Sequence, residues 1–299
     1  LSTGGNRFPK NASPGRPVRS YGSGMREDGH TADLIEDNRR HWDERVPIHT
    51  ASPFYDLNGF RAGEEVLDRF QLDELGDVTG LDLVHLQCHI GLDTLGWARH
   101  GARVAGLDFS APAVRTATEL AAEVGLSHRA RFVAADVRDA VDELGTGGFD
   151  VVYTGSGALM WLPDIAEWAR TVAALLRPGG RLYLVEFHPL TEVLDDEHGA
   201  TVDRDYFTRR PRTYDAPGSY ADWEAETTHN TATEWHHTVG DVVSAIAGAG
   251  LRIEFLREHD TIPFQRYAAL TTDGAYFRYP EGRPRLPLMY SLTAAKPRG

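Results

Sequence analysis

The sequence is poor in cysteine: its 299 residues include one, Cys88. A lone thiol excludes a disulfide framework and any cysteine-rich zinc site. Long apolar runs are missing as well. No stretch approaches the ~18 residues a membrane span needs, and none at the start reads as a signal peptide. The expectation is a soluble, cytoplasmic protein without a membrane partner. Positive charge is scarce, 31 Lys plus Arg against 44 Asp plus Glu, for a net charge of -13. Phosphate backbones demand clustered cations, so nucleic acid is not the expected partner.

What is present is ordinary globular material, 41% apolar and long enough for a sizeable core. The charge is unevenly placed. Residues 1–30 hold Arg7, Lys10, Arg16, Arg19 and Arg26 against Glu27 and Asp28, a surplus of +3 that leaves -16 on the rest. This opening is rich in Gly, Ser, Pro and Asn, too polar to offset the entropy of ordering, and reads as a disordered tail. Tyr21 is the side chain in it suited to closing over a substrate. From Thr31, residues Ile35, Arg39, Trp42 and Val46 fall at helical spacing, with Pro47 as a stop. A second helix is expected over Glu64–Leu75.

An alternation then decides the fold class. Strand runs at Leu81–Leu86, Arg103–Asp108, Arg131–Ala135, Phe149–Thr154 and Arg181–Phe187 are separated by helices at Gly91–His100, Ser110–Val124 and Asp164–Leu176. Strands alternating with helices predict a doubly wound, mostly parallel α/β sheet. Residues 189–235 break the rhythm with polar and aromatic residues. A helix over Val239–Ala249 and strands at Arg252–Glu258 and Leu288–Ala294 restore it. The expected organisation is a tail over 1–30, an N-terminal helical cap over 31–77, a core over 78–188, a lid over 189–237 and the core's C-terminal part over 238–299.

In such a sheet, ligands bind at the carboxyl ends of the strands. Asp108 ends the second strand, where a carboxylate can accept from both hydroxyls of a ribose. Asp136, after the third, can take the exocyclic amine of adenine while the next backbone N–H, at Val137, meets a ring nitrogen. The loop after the first strand, Leu86-Gln-Cys-His-Ile-Gly91, carries one glycine where a pyrophosphate cradle wants Gly-x-Gly-x-x-Gly. NAD, and with it an oxidoreductase, is therefore disfavoured.

The segment Leu83-Val-His-Leu-Gln-Cys-His-Ile-Gly91 resembles motif I of class I S-adenosylmethionine-dependent methyltransferases. Asp108, Asp136-Val137, Phe149-Asp-Val-Val-Tyr153 and Leu176-Arg-Pro-Gly-Gly180 fall where that family has its later motifs. The form His-Leu-Gln-Cys-His-x-Gly-Leu-Asp-Thr is similar to a variant of ubiquinone-methyltransferase-like bacterial proteins. The resemblance implies a seven-stranded sheet of order 3-2-1-4-5-7-6 with the last strand antiparallel, S-adenosylmethionine as cofactor, and methyl transfer. The implied cofactor residues are His85, Gln87, His89, Gly91, Asp108, Phe109, Asp136, Val137, Thr154 and Gly155. Most members of the family carry Asp or Glu where this chain has His85, and glycines where it has Gln87 and His89.

Methyl transfer from a sulfonium needs orientation first, and a base only where the acceptor loses a proton. His188, at the end of the fifth strand, and His236, before the penultimate helix, are the candidate bases. Trp42, Tyr55, Trp161 and His237 are candidates for holding an acceptor. The aromatic insertion (Tyr206, Phe207, Tyr214, Tyr220, Trp223, Trp235) suits a small organic molecule. No metal site is expected, because the histidines lack ligand spacing. A cyclase or a cofactor-binding protein on the same fold is the alternative.

Overall fold

The computed structural model describes residues 29–298. The tail and its Tyr21 therefore fall, but for its last two residues, outside the described residues. The first helix, α1 (Gly29–Ala51), runs through Pro47. Proline removes one helical hydrogen bond, here close enough to the C-terminus that the helix continues for one further turn. The buried face of α1 is also rotated from the expected stripe. Leu34, Asn38, His41, Arg45 and His49 are buried, while Ile35, Arg39 and Trp42 are only partly so. The expected second helix, Glu64–Leu75, is shortened to α3 (Arg69–Leu75), and a separate short helix, α2 (Leu57–Ala62), precedes it. Between them the Glu65 carboxylate accepts from the N–H groups of Val66 and Leu67, and Asp68 with Gln71 forms a capping box that starts α3.

The alternation follows. It comprises β1 (Asp82–Leu86), α4 (Leu92–Arg99), β2 (Arg103–Asp108), α5 (Ala111–Glu123), β3 (Ala130–Ala134), α6 (Ala140–Leu144), β4 (Phe149–Thr154), α7 (Ile165–Leu175) and β5 (Leu176–Phe187). Caps set the helix starts. The Ser110 hydroxyl accepts from Ala113 N at 3.3 Å, and the Asp164 carboxylate accepts from Ala166 N and Glu167 N. The Pro178-Gly179-Gly180 turn lies inside β5 as a register shift. A Cβ on Gly180 would stand 2.9 Å from the Phe149 carbonyl oxygen, so only glycine fits. The remaining elements are β6 (Arg212–Asp215), β7 (Thr231–Glu234), α8 (Val239–Gly248), β8 (Arg252–His259), β9 (Thr271–Asp273), β10 (Tyr276–Arg278) and β11 (Met289–Ala295).

Seven strands form one sheet in the order β3-β2-β1-β4-β5-β11-β8, the expected 3-2-1-4-5-7-6. The first five pair in parallel. The bonds Lys296 N to Gly180 O and His188 N to Leu288 O run β11 antiparallel to β5. The pairs β6–β7 and β9–β10 are antiparallel ribbons.

The described residues divide into two compact units. One comprises 29–57, Phe187–Thr238 and Glu258–Tyr290. In it α1 is bolted to the β6–β7 ribbon by polar side chains. Asn38 exchanges two hydrogen bonds with the Thr233 backbone, the Arg45 guanidinium donates to the Ala216 and His229 carbonyls, and Glu44 accepts from Thr228 N and His229 N. The other unit comprises Asn58–Glu186, Val239–Arg257 and 291–298. There α3 docks on the sheet through Gln71, which donates to the Tyr153 hydroxyl at 2.8 Å, and Glu74, which accepts from the Tyr183 hydroxyl.

Candidate functional site

The loop between β1 and α4 turns as a glycine-rich loop does, although it holds one glycine. Gln87, His89 and Gly91 have φ of +58°, +49° and +78°. Holding two side-chain-bearing residues left-handed costs about 1–2 kcal/mol each, strain that concentrates where function needs a given backbone. The surroundings enforce the turn. A Cβ on Gly91 would meet Ala117 Cβ at 2.7 Å and Phe132 Cε1 at 2.8 Å. Asp108, buried at the end of β2, accepts from His89 N at 2.8 Å and from Ser110 N at 2.9 Å. It ties the first loop to the start of α5. Phe109 beside it is half-buried.

Asp136 accepts from Arg138 N and is gripped by the Arg138 guanidinium at 2.8 and 2.9 Å. This partner went unnoticed in the sequence although it stands two residues away. Val137 is buried next to it. At the ends of β1 and β4, polar atoms collect. His85 is 3% exposed, its Nδ1 2.8 Å from Thr94 Oγ1, and burial lowers its pKa to about 3. Burial likewise holds His89 neutral, with a pKa lowered to about 4. Gln87 Nε2 donates to the Ala158 carbonyl at 2.9 Å. Three atoms here, His85 Nε2, Gln87 Oε1 and Thr154 Oγ1, are buried without a hydrogen-bond partner among the described residues. Each such group costs about 1–3 kcal/mol unless a ligand satisfies it.

The loop after β4 is held by a residue that carried no role in the sequence reading. Glu186, near the end of β5, accepts from Ala158 N and Leu159 N, both at 2.9 Å, and from Gly157 N. An acidic residue ending a buried strand was the available signal. Gly155 is buried against His85, and Trp161 follows half-buried in the same segment. All ten expected cofactor residues thus belong to the sheet-bearing unit, at the carboxyl ends of β1 to β4.

His188, His236, His237, Trp42 and Tyr55 belong to the other unit. His188 is buried and has both ring nitrogens engaged. Nδ1 accepts from Leu190 N at 3.1 Å, which fixes the proton on Nε2, and that atom donates to Glu258 Oε1 at 3.0 Å. Burial lowers its pKa, against the pull of Glu258. It caps the turn after β5. His236 packs edge-on against Tyr206, and His237 is half-buried beside it. Trp42 and Tyr55 share a cluster with His49, Phe54 and Tyr220. The His49 ring lies 5.9 Å from Trp42, 5.0 Å from Tyr55 and 4.9 Å from Tyr220, and its Nε2 is 2.7 Å from Ser219 Oγ. His49 was invisible in the sequence, since nothing local marks a buried histidine on a polar helix. Among the described residues no group of His, Cys, Asp or Glu could hold a metal ion. None of their helices is long and apolar enough to cross a membrane.

Comparison with known proteins agrees with this geometry. Residues 84–182 match the family model described as a methyltransferase domain. The ubiquinone biosynthesis O-methyltransferase of Cupriavidus pinatubonensis is 30% identical over 173 residues, 58% of this chain and 62% of that protein. The chain spans about three fifths of the length of the curated relatives it matches. Among solved structures, an S-adenosylmethionine-dependent methyltransferase of Mesorhizobium loti is 25% identical with a TM-score of 0.54, covering 76% of this chain and 95% of its own. A Burkholderia thailandensis 1,6-didemethyltoxoflavin-N1-methyltransferase, with bound S-adenosylhomocysteine, shares the fold at 18% identity and a TM-score of 0.52, covering 94% and 95%. Sheet order, left-handed loop and domain match converge: residues 84–182 carry a methyltransferase domain, on a sheet that shares the fold of solved S-adenosylmethionine-dependent methyltransferases.

Proposed function

We propose that the protein transfers a methyl group from S-adenosylmethionine to a small organic acceptor. The observation that carries this reading is the left-handed loop at Gln87, His89 and Gly91, fastened by Asp108 and bordered by buried polar atoms that await partners. Those atoms fit the polar methionine end of the cofactor. Asp108 holds the ribose hydroxyls. Asp136, pre-oriented by Arg138, takes the adenine amine, and Val137 lies against the ring. When bound, the cofactor supplies a methyl group on a sulfonium centre. The chain's residues orient it and exclude water.

An oxygen nucleophile is favoured, because the relative from Cupriavidus pinatubonensis is named for O-methylation. With both of its nitrogens spent, His188 serves to position the turn after β5, and the proton-accepting role passes to His236 or His237. Trp42, Tyr55 and Trp161 offer the kind of apolar side chain that an organic acceptor needs. The negative charge disfavours a nucleic-acid substrate, and we place the protein in the cytoplasm, with 189–237 as its lid. Thermal unfolding with added ligands tests the cofactor. S-adenosylhomocysteine raises the melting temperature and NAD does not; equal responses, or none, would overturn the assignment. Mass spectrometry of a methylated product separates a transferase from a relative that only binds the cofactor.

A further inference from the structure

Position 85 poses a chemical question. This chain has there an imidazole that burial keeps neutral, so position 85 offers a cationic amine no charge. A carboxylate nevertheless reaches the same spot from another element. A Cβ built on Gly155 would lie 3.4 Å from His85 Nε2, 3.4 Å from the Tyr153 hydroxyl and 3.6 Å from Asp93 Oδ2. Three polar ends, from β1, β4 and the first turn of α4, thus converge where the two strands finish.

Their hydrogen bonding is ordered. The Tyr153 hydroxyl accepts from Gln71 Nε2 at 2.8 Å, which leaves its proton for Asp93 Oδ2 at 3.3 Å. His85 Nδ1 is engaged with Thr94, and its Nε2 faces the convergence without a partner among the described residues. On the adjoining loop Gln87 spends its amide N–H₂ on the Ala158 carbonyl, and Oε1 remains a buried acceptor with no donor. A carboxylate together with a neutral amide oxygen and an imidazole nitrogen calls for a cation with several N–H donors. A primary ammonium has three. An anionic ligand group would meet repulsion from Asp93.

We propose that Asp93 supplies the negative charge that recognises the α-amino group at the methionine end of the cofactor, with Gln87 Oε1 as a second acceptor and His85 as a neutral positioning residue. This inference rests on the cofactor reading above.

Isothermal titration calorimetry with paired ligands tests it. S-adenosylhomocysteine carries the amino-acid end, whereas 5′-methylthioadenosine lacks it. Asp93→Asn is expected to weaken S-adenosylhomocysteine at least tenfold and to leave methylthioadenosine within about twofold. Gln87→Leu, an independent variant in case Asp93→Asn fails to fold, is expected to show a smaller loss with the same selectivity. An unchanged affinity for S-adenosylhomocysteine, or equal losses for both ligands, would overturn the proposal. Failure of the wild-type protein to bind either ligand would instead overturn the cofactor reading itself, and the two failures are told apart by the wild-type titration.

Discussion

Cys88 shows how much a residue's meaning depends on where the chain folds it. Its side chain is 3% exposed, and a Cβ on Gly106 would lie 2.8 Å from its Sγ. Burial and the nearby Asp108 carboxylate push the thiol well above its usual range. It fills space beneath the loop and carries no thiolate. In native protein at pH 8, Ellman's reagent is expected to find no reactive thiol, with one equivalent released on denaturation; rapid native labelling would contradict this. Gly91 is the stricter requirement, since its left-handed φ and its contacts both exclude a side chain. Gly91→Ala should lower stability by about 2–4 kcal/mol, from backbone strain plus overpacking. Chemical denaturation measures that loss. Asp108 has two duties, so Asp108→Asn is the better probe than alanine. It retains an oxygen for one backbone N–H and removes the charge from the ribose, and should weaken S-adenosylhomocysteine at least tenfold. An unchanged dissociation constant would mean that the ribose is held elsewhere.

At the scale of the element, what was legible was what local sequence encodes. β2 and β4 run over the residues their apolar patterns predict, and the starts of α5 and α7 follow Ser110 and Asp164. Those signals act within a few residues. The face of α1 was misread because its buried positions, Asn38, Arg45 and His49, are polar and satisfied by partners 170 to 195 residues away, on the β6–β7 ribbon and the loop that joins its strands. The β6–β7 ribbon falls in a segment read as short strands or loops, and its strands could not be placed because its cross-strand pairs, Thr213 with Thr233 and Arg212 with Glu234, look solvent-exposed until they are paired. In the site, Asp108 and Gly91 were legible by type and spacing. The left-handed backbone of Gln87 and His89 was not, because only glycine advertises a positive φ. Glu186 escaped for the same reason as Asn38: its partners at 157–159 are distant in sequence. Glu186→Gln should therefore cost about 1–3 kcal/mol, since an amide cannot accept from three N–H groups as a carboxylate does. Faster amide hydrogen exchange confined to Gly157, Ala158 and Leu159 would locate the effect, and unchanged protection there would contradict it.

The whole molecule responds to pH through its buried histidines rather than its surface charge. His41 and His85 have pKa values lowered to about 3, and His89 to about 4, with burial the leading cause in each. In the unfolded chain all three protonate near the ordinary value of about 6.5. A folded pKa depressed in this way gives a stabilising contribution that is full above the unfolded value and is lost as pH falls toward the folded one. Between pH 6 and pH 4 the unfolded state binds up to one more proton at each ring, at about 1.4 kcal/mol per pH unit per proton. Carboxylates whose pKa the fold lowers, such as Glu44 and Asp82, act in the same direction, and the opposing relief of net negative charge as exposed carboxylates protonate is weak because water and salt screen surface charges. The histidines therefore win, and stability falls on acidification even as the net charge of -13 shrinks toward zero. His85→Gln isolates one ring. Denaturant titrations from pH 6 to pH 4 should show the slope of unfolding free energy against pH reduced by about 1.4 kcal/mol per unit relative to the parent protein. An unchanged slope would mean that His85 is charged in the fold, and a charged ring at that position would repel the ammonium group that Asp93 is there to receive.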